Sequence, residues 1–351
     1  MNETKCLKVE FLLTRSCNLR CSYCKIINAD SLKGQPLNKA QIFDGVRIIN
    51  QMFPGVPIIF FGGEPTTLPW LPELVQFCEI NKIKYAIISN SVKIMQDDEY
   101  FRKLVKAGIS NWSVSIDTLK FDGADEIKDN VRKSYNGFEA LKKFRDAGVR
   151  DLVACITVSR WNILEVPSIV KTLSENGIWS ITTPLQDGDK YFEYSQPDSL
   201  ENRCKDKTII RKIASELKAM KDSGKYLMHN ESAFYEAWDK YFISQDWKCS
   251  QKSALTIDAD GSLKRCVDNK GGLEGFNILT LEQNVEEYKK AILGDFVCKG
   301  CIWDPAFETE RRSFWHKDDA IRSFRHEMSE KQINNLLPEC RKWFEKSDEK
   351  N

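Results

Sequence analysis

Over its first half this chain exchanges two periodicities at regular intervals, and that rhythm limits its fold more than any other feature. Short apolar runs at Lys8 to Leu13, Pro57 to Phe61, Lys84 to Ser89, Asn111 to Asp117, Asp151 to Val158 and Trp179 to Pro184 read as buried strands. Amphipathic segments at 38–53, 70–80, 97–107, 135–147 and 163–176 separate them. Gly108, Gly148 and Gly177 stop three of these, since glycine accepts the left-handed conformation at a helix end. Strands that alternate with helices run parallel, because each helix carries the chain back to the starting edge. The expectation is a parallel α/β sheet, and the pattern alone does not separate a curled barrel from a doubly wound sheet.

With 351 residues and 42% hydrophobic content, the chain can bury one large core or two smaller ones. It has no low-complexity tract. Its 52 basic and 51 acidic residues give a net charge of +1, so the overall balance offers no attraction to nucleic acid. No apolar run approaches the ~20 residues that span a bilayer, and no signal pattern opens the chain, so a cytoplasmic protein without membrane contact is expected. After residue 188 the sequence turns polar and helical, with an amphipathic stretch from Thr208 to Met220, a break at Gly224 and a helix from about Glu231 to Phe242.

Twelve cysteines in an intracellular chain point to metal ligands or free thiols rather than disulfides. Cys6, Cys78, Cys155 and Cys204 stand singly in strand or helix patterns, where a thiol behaves as a small apolar residue. Seven others fall into two ligand-like groups. Cys17, Cys21 and Cys24 form CxxxCxxC directly after the first strand, with no fourth cysteine near. Three thiolates hold three corners of a [4Fe–4S] cube and leave one iron for another ligand, whereas structural zinc requires four protein ligands. The second strand closes on Gly62-Gly63-Glu64-Pro65, where glycines let backbone come close to a ligand and Glu64 offers a carboxylate to an ammonium group.

The second group is Cys249, Cys266, Cys298 and Cys301. An alternating run from Ala254 to Cys266 around Asp260-Gly261 reads as a β-hairpin that returns Cys266 toward Cys249, and Cys298-Lys-Gly-Cys301 completes the set. Four such cysteines suit an iron-sulfur cluster or a zinc ribbon.

CxxxCxxC followed by GGEP resembles the radical S-adenosylmethionine (SAM) superfamily, in which SAM chelates the open iron and is cleaved by one electron to a 5′-deoxyadenosyl radical. The resemblance implies a partial (β/α)6 TIM barrel over 1–188, a helical connector over 189–245, a small β-hairpin-containing domain over 246–305 and a C-terminal helical segment over 306–351. Cys249, Cys266, Cys298 and Cys301 resemble the shorter "twitch" form of the SPASM domain, which implies an auxiliary [4Fe–4S] cluster, with zinc as the alternative. It also implies SAM contacts from Tyr23, Gly62, Gly63, Glu64, Ser115, Arg132 and Leu185. Arg132 would pair with the SAM carboxylate, since a guanidinium offers two donors and keeps its charge. Asn90, Thr157, Arg160 and Asn162 end strands and are substrate or ribose candidates by position.

The implied reaction is hydrogen abstraction from a small molecule, with the substrate radical losing a proton and passing its electron to the auxiliary cluster. Asp268 is the nominee for general base, and flavodoxin or ferredoxin for the reductant. A peptide- or protein-modifying maturase is the close alternative, and an iron-sulfur electron carrier or regulator the distant one.

Overall fold

The computed structural model describes residues 8–21, 24, 35–119, 137–185, 203–243, 248–249, 254–266, 272–294, 298–299 and 330–345. Its six leading strands are β1 (Lys8–Thr14), β2 (Ile58–Gly62), β3 (Tyr85–Ser89), β4 (Asn111–Ser115), β5 (Asp151–Val158) and β6 (Trp179–Pro184). Between them lie helices α1 (Lys39–Met52), α2 (Leu71–Ile80), α3 (Val92–Gln96), α4 (Asp98–Lys106), α5 (Gly137–Asp146) and α6 (Val166–Glu175). All six strands pair in parallel in the order 6-5-4-3-2-1. A doubly wound sheet reverses its strand order at a switch point, and this order never reverses. The winding is therefore that of a barrel, left open between β6 and the far edge, as in a partial TIM barrel.

Alternation within the strands decides what each face meets. Val9, Phe11 and Leu13 of β1, Trp112 and Val114 of β4, and Leu152, Ala154, Ile156 and Val158 of β5 enter one core with the apolar sides of the helices. Phe144 of α5, for example, lies 4.6 Å from Trp112 between ring centroids. Each large apolar side chain buried this way contributes about 1.5–3 kcal/mol. The intervening residues form the opposite, polar face: Lys8, Glu10, Ser113 and Ser115 are buried there, while Cys155 and Thr157 are half-buried. Lys8 Nζ meets Glu10 Oε1 at 2.8 Å on this face.

Helix ends follow their local chemistry. Asn38 and Gln41 close a reciprocal capping box at the start of α1. Gly108, Gly148 and Gly177 take φ of +87°, +89° and +71° as stops. The short α3 was not expected: five residues carry too little periodicity to announce a helix. β4 also ends at Ser115, two residues before the predicted end.

Beyond β6, α7 (Lys207–Asp222) and α8 (Ser232–Ala237) match the predicted helical stretches, the second continuing into a π-helical turn at Trp238–Ile243. Lys248–Cys249 forms β7, and Ala254–Ile257 and Leu263–Lys264 form the hairpin strands β8 and β9. The hairpin registers Thr256 with Lys264 and Ile257 with Leu263, around Gly261 at φ +83°. It does more than return the chain. β8 lies parallel to β1, pairing Lys8 with Ala254 and Phe11 with Ile257, and so extends the barrel sheet to eight described strands. Cys298–Lys299 forms β10, antiparallel to β7. Helices α9 (Val285–Leu293), α10 (Glu330–Asn335) and α11 (Pro338–Glu345) complete the described residues. Among these residues no helix is long and apolar enough to cross a membrane.

Candidate active site

Parallel strands of a barrel deliver their C-terminal ends to one rim, and the first cysteine group sits there. The chain leaves β1 at Thr14 toward Cys17, Cys21 and Cys24, and the described residues of this loop, 15–21 and 24, carry no helix or strand. Backbone N–H groups and neighbours shape this loop: Leu19 N–H donates to Cys17 Sγ (3.3 Å), and Cys24 N–H to Cys21 O (3.0 Å). Asn90 Nδ2, beyond β3, donates to Asn18 Oδ1 (2.8 Å) and reaches Cys17 Sγ at 3.8 Å. Arg20 Nη1 donates to Cys17 O and Leu19 O, both at 2.8 Å. Cys21 and Leu185 are buried together against Leu19, Cys24 and Trp161. The predicted site residue Leu185, at the end of β6, thus meets the cysteine loop from the opposite side of the rim.

Gly62 and Gly63 have a structural role that the sequence alone did not announce. Gly63 N–H donates to Thr14 O (2.6 Å) and Glu64 N–H to Ser16 O (2.8 Å), so the end of β2 is laid on the backbone entering the cysteine loop. A Cβ on Gly62, at φ +149°, would stand 2.3 Å from Thr14 O, and one on Gly63 would stand 2.1 Å from Ser16 O. Both glycines are required by that docking. The close approach is to the chain's own backbone.

The Glu64 carboxylate is 1% exposed and binds inward. Oε1 accepts from Thr66 N–H (3.0 Å), Thr66 Oγ1 (2.6 Å) and Ser89 Oγ (2.7 Å), while Oε2 accepts from Asn90 N–H (2.7 Å). It ties β2 to β3 and sets the residue that touches Cys17. Oε2 accepts from Asn90 N–H and retains acceptor capacity for a second donor.

Ser115 is buried on the polar face at the end of β4. Of the residues singled out by position, Asn162 is fully buried and spent on the scaffold: Nδ2 donates to Asp117 O and Thr157 O at 2.9 Å each, and Oδ1 accepts from Ser159 N–H at 2.8 Å. Arg160 is exposed, its guanidinium 4.1 Å from the centroid of the Trp161 ring. Trp161 had no signal in the sequence beyond its place after β5.

Arg15 and Asp258 were also missed. Arg15 Nη2 pairs with Asp258 Oδ1, and Lys264 Nζ meets Asp258 Oδ2 at 2.6 Å, with the three side chains 14%, 5% and 1% exposed. Burial alone would raise the Asp258 carboxyl, but the Lys264 ammonium and the Arg15 guanidinium outweigh it and hold it below the usual carboxylate range. In the second cysteine group, β7 and β10 place Cys249 and Cys298 directly opposite one another in antiparallel register. Half-buried Cys266 follows β9 by two residues. Tyr23, Arg132, Asp268 and Cys301 lie outside the described residues.

Among the described residues no three histidine, cysteine, aspartate or glutamate side chains close on a common point. The donor set of the first loop nevertheless fits a [4Fe–4S] cluster: three thiols, N–H donors aimed at Cys17 sulfur and an apolar wall at Cys21.

Comparison with known proteins agrees with this reading. Residues 11–173 match the radical SAM superfamily. Fe-coproporphyrin III synthase of Methanosarcina barkeri is 29% identical over 47% of this chain, which spans only 40% of that protein. GTP 3′,8-cyclase of Clostridium perfringens is 24% identical over 74% of this chain and 80% of its own length. In three dimensions the chain resembles SuiB of Streptococcus suis bound to S-adenosylmethionine, with a TM-score of 0.56 and 15% identity over 93% of this chain and 69% of that one. A second SuiB structure, bound to the precursor peptide SuiA, matches with a TM-score of 0.56 and 14% identity over 79% and 64% of the two chains. The family works with a [4Fe–4S] cluster and SAM. The barrel that carries the CxxxCxxC loop and the GGEP turn is a radical SAM superfamily domain.

Proposed function

We propose that this chain reductively cleaves SAM and uses the resulting radical to take a hydrogen atom from a small-molecule substrate, in an oxidation. The observation that carries the first half is the docking of the cysteine loop on Gly62 and Gly63 at the barrel rim. Cys17, Cys21 and Cys24 would hold a [4Fe–4S] cluster, which would supply the electron for reductive cleavage of SAM. The protein's own work is placement. Leu19 N–H and Asn90 point donors at Cys17 sulfur, Cys21 and Leu185 keep one side apolar, and Ser115 and Arg132 are the proposed contacts to SAM, with Tyr23 beside the third thiol. Glu64 Oε2 is the proposed acceptor for the SAM ammonium group.

Loss of a hydrogen atom from a C–H leaves a substrate radical, and oxidation of that radical releases one proton and one electron. Asp268 is the proposed base for the proton. Cys249, Cys266, Cys298 and Cys301 are the proposed ligands of an auxiliary [4Fe–4S] cluster, which would accept the electron; flavodoxin or ferredoxin is the proposed source of the first one. Support for the ligand set is the register of Cys249 with Cys298 and the return of the chain through the hairpin to Cys266.

The names of the sequence relatives favour a small molecule, since Fe-coproporphyrin III synthase and GTP 3′,8-cyclase are named for small molecules. A peptide substrate is the second reading, supported by the shared fold with SuiB in its peptide-bound form. Iron, sulfide and zinc analysis tests the auxiliary cluster. Replacing Cys249, Cys266, Cys298 and Cys301 together should remove about four iron and four sulfide per chain and abolish oxidative turnover, while zinc in the parent alongside a single cluster would overturn it.

A further inference from the structure

The hairpin turn at Asp258 and Ala259 touches the cysteine-bearing segment at both of its ends. Before the cysteines, Arg15 pairs with Asp258. After them, just ahead of α1, Leu37 N–H donates to Ala259 O at 2.7 Å. Asp258 is in turn fixed from three directions: Lys264 Nζ holds Oδ2, Ala259 N–H donates to Oδ1 at 2.6 Å, and Asp258 N–H donates to Ser262 O at 2.9 Å. The turn itself is locked by Gly261, where Ile278 N–H donates to the carbonyl at 2.8 Å and any Cβ would meet the Asn277 amide at 2.8 Å. A buried carboxylate between two cations is costly to assemble and costly to break, so its geometry is strongly specified.

We propose that Asp258 is a positioning residue for the radical chemistry: through Arg15, 243 positions away in sequence, it straps the cysteine loop to the hairpin and so sets where Cys17, Cys21 and Cys24 stand. This rests on the reading of that loop as the radical-cluster site. It also means that the barrel sheet and the hairpin act as one unit. The first 188 residues then do not contain the whole of the site, because the strap that aims the loop comes from the other end of the chain.

The mildest cut is Arg15→Met, which leaves the Asp258–Lys264 pair balanced. In the anoxically reconstituted full-length protein it should keep the parent's iron, sulfide and circular dichroism. Its turnover number for 5′-deoxyadenosine should fall roughly 10- to 100-fold, as for a displaced reacting group, with a much smaller change in KM for SAM. The change that SAM causes in the electron paramagnetic resonance spectrum of the reduced cluster should differ from that of the parent. Asp258→Asn should lower turnover in the same way and also cost stability, because it leaves buried Lys264 without its carboxylate; the double variant should lose no more turnover than Asp258→Asn alone, because the strap is already cut. A parent-like spectrum and turnover number in fully loaded Arg15→Met would overturn the proposal even if Asp258→Asn does not fold. Absence of a SAM-sensitive signal in the parent itself would instead remove the radical-site reading, and the strap with it.

Discussion

The cysteine loop after β1 and the cysteine group beyond residue 245 are built by opposite means. Cys17, Cys21 and Cys24 lie on a loop whose described residues carry no helix or strand and are held from outside by the ends of β2, β3 and β6. Cys249 and Cys298 are set opposite each other by their own strand pairing. A loop held from outside answers to substitutions far away in sequence, and a pair held by its own ladder answers to local ones. Substitutions at the rim should therefore disable the first group and spare the second.

The strongest break in that comparison is Gly63→Ala. The added methyl would stand 2.1 Å from Ser16 O and 2.7 Å from Arg15 C, which are backbone atoms with no side chain to swing aside. We expect the loop to shift and 5′-deoxyadenosine formation to drop by about 100-fold or more, with the second group's iron retained. Retention of parent-level cleavage in Gly63→Ala would show that the docking of β2 on the loop is dispensable.

A smaller effect is expected from Glu64→Gln. An amide cannot accept at both ends, so either Asn90 N–H or the trio of Thr66 and Ser89 donors faces an NH2 group. Loss of charge-assisted bonds in a buried site costs about 2–3 kcal/mol, which chemical denaturation measures. Because Asn90 carries the strain to Cys17, cleavage should fall together with stability. An equally stable variant would place Glu64 outside the support of the loop.

How much of this was legible in the sequence differs between the regions for physical reasons. Strands and helices of the barrel were readable because period and stop signals are local, and β5 and β6 match their predicted bounds. Cys17, Cys21 and Cys24 were legible as a candidate site through their spacing, and Leu185, which packs with Cys21, only through the family resemblance. The attachment of β8 to β1 was not, since a parallel pairing across more than 240 residues leaves no mark in either strand. Nothing in the local sequence marks Glu10, Thr256, Asp258 and Lys264 for burial, and the curl of the sheet buries them. Gly62 and Gly63 were recognised by motif while their reason, a backbone docking, required the fold.

The smallest expected effect concerns single thiols. Burial, with the adjacent Glu79 charge, pushes the Cys78 thiol up to about 12, so at pH 8 it stays protonated and inert. In cluster-free folded protein, alkylation at that pH should label half-buried Cys17 and Cys24 and leave Cys78 untouched. Labelling of Cys78 at the rate of Cys17 would contradict the packing around α2.

We expect SAM cleavage to depend on the first cysteine group and not on the second. The most direct test is 5′-deoxyadenosine formation by dithionite-reduced, anoxically reconstituted parent, set beside the variant with Cys17, Cys21 and Cys24 all changed to Ala. The account predicts formation by the parent and none by the variant, which should stay soluble and keep the iron of the second group. Undiminished formation by the variant would contradict it.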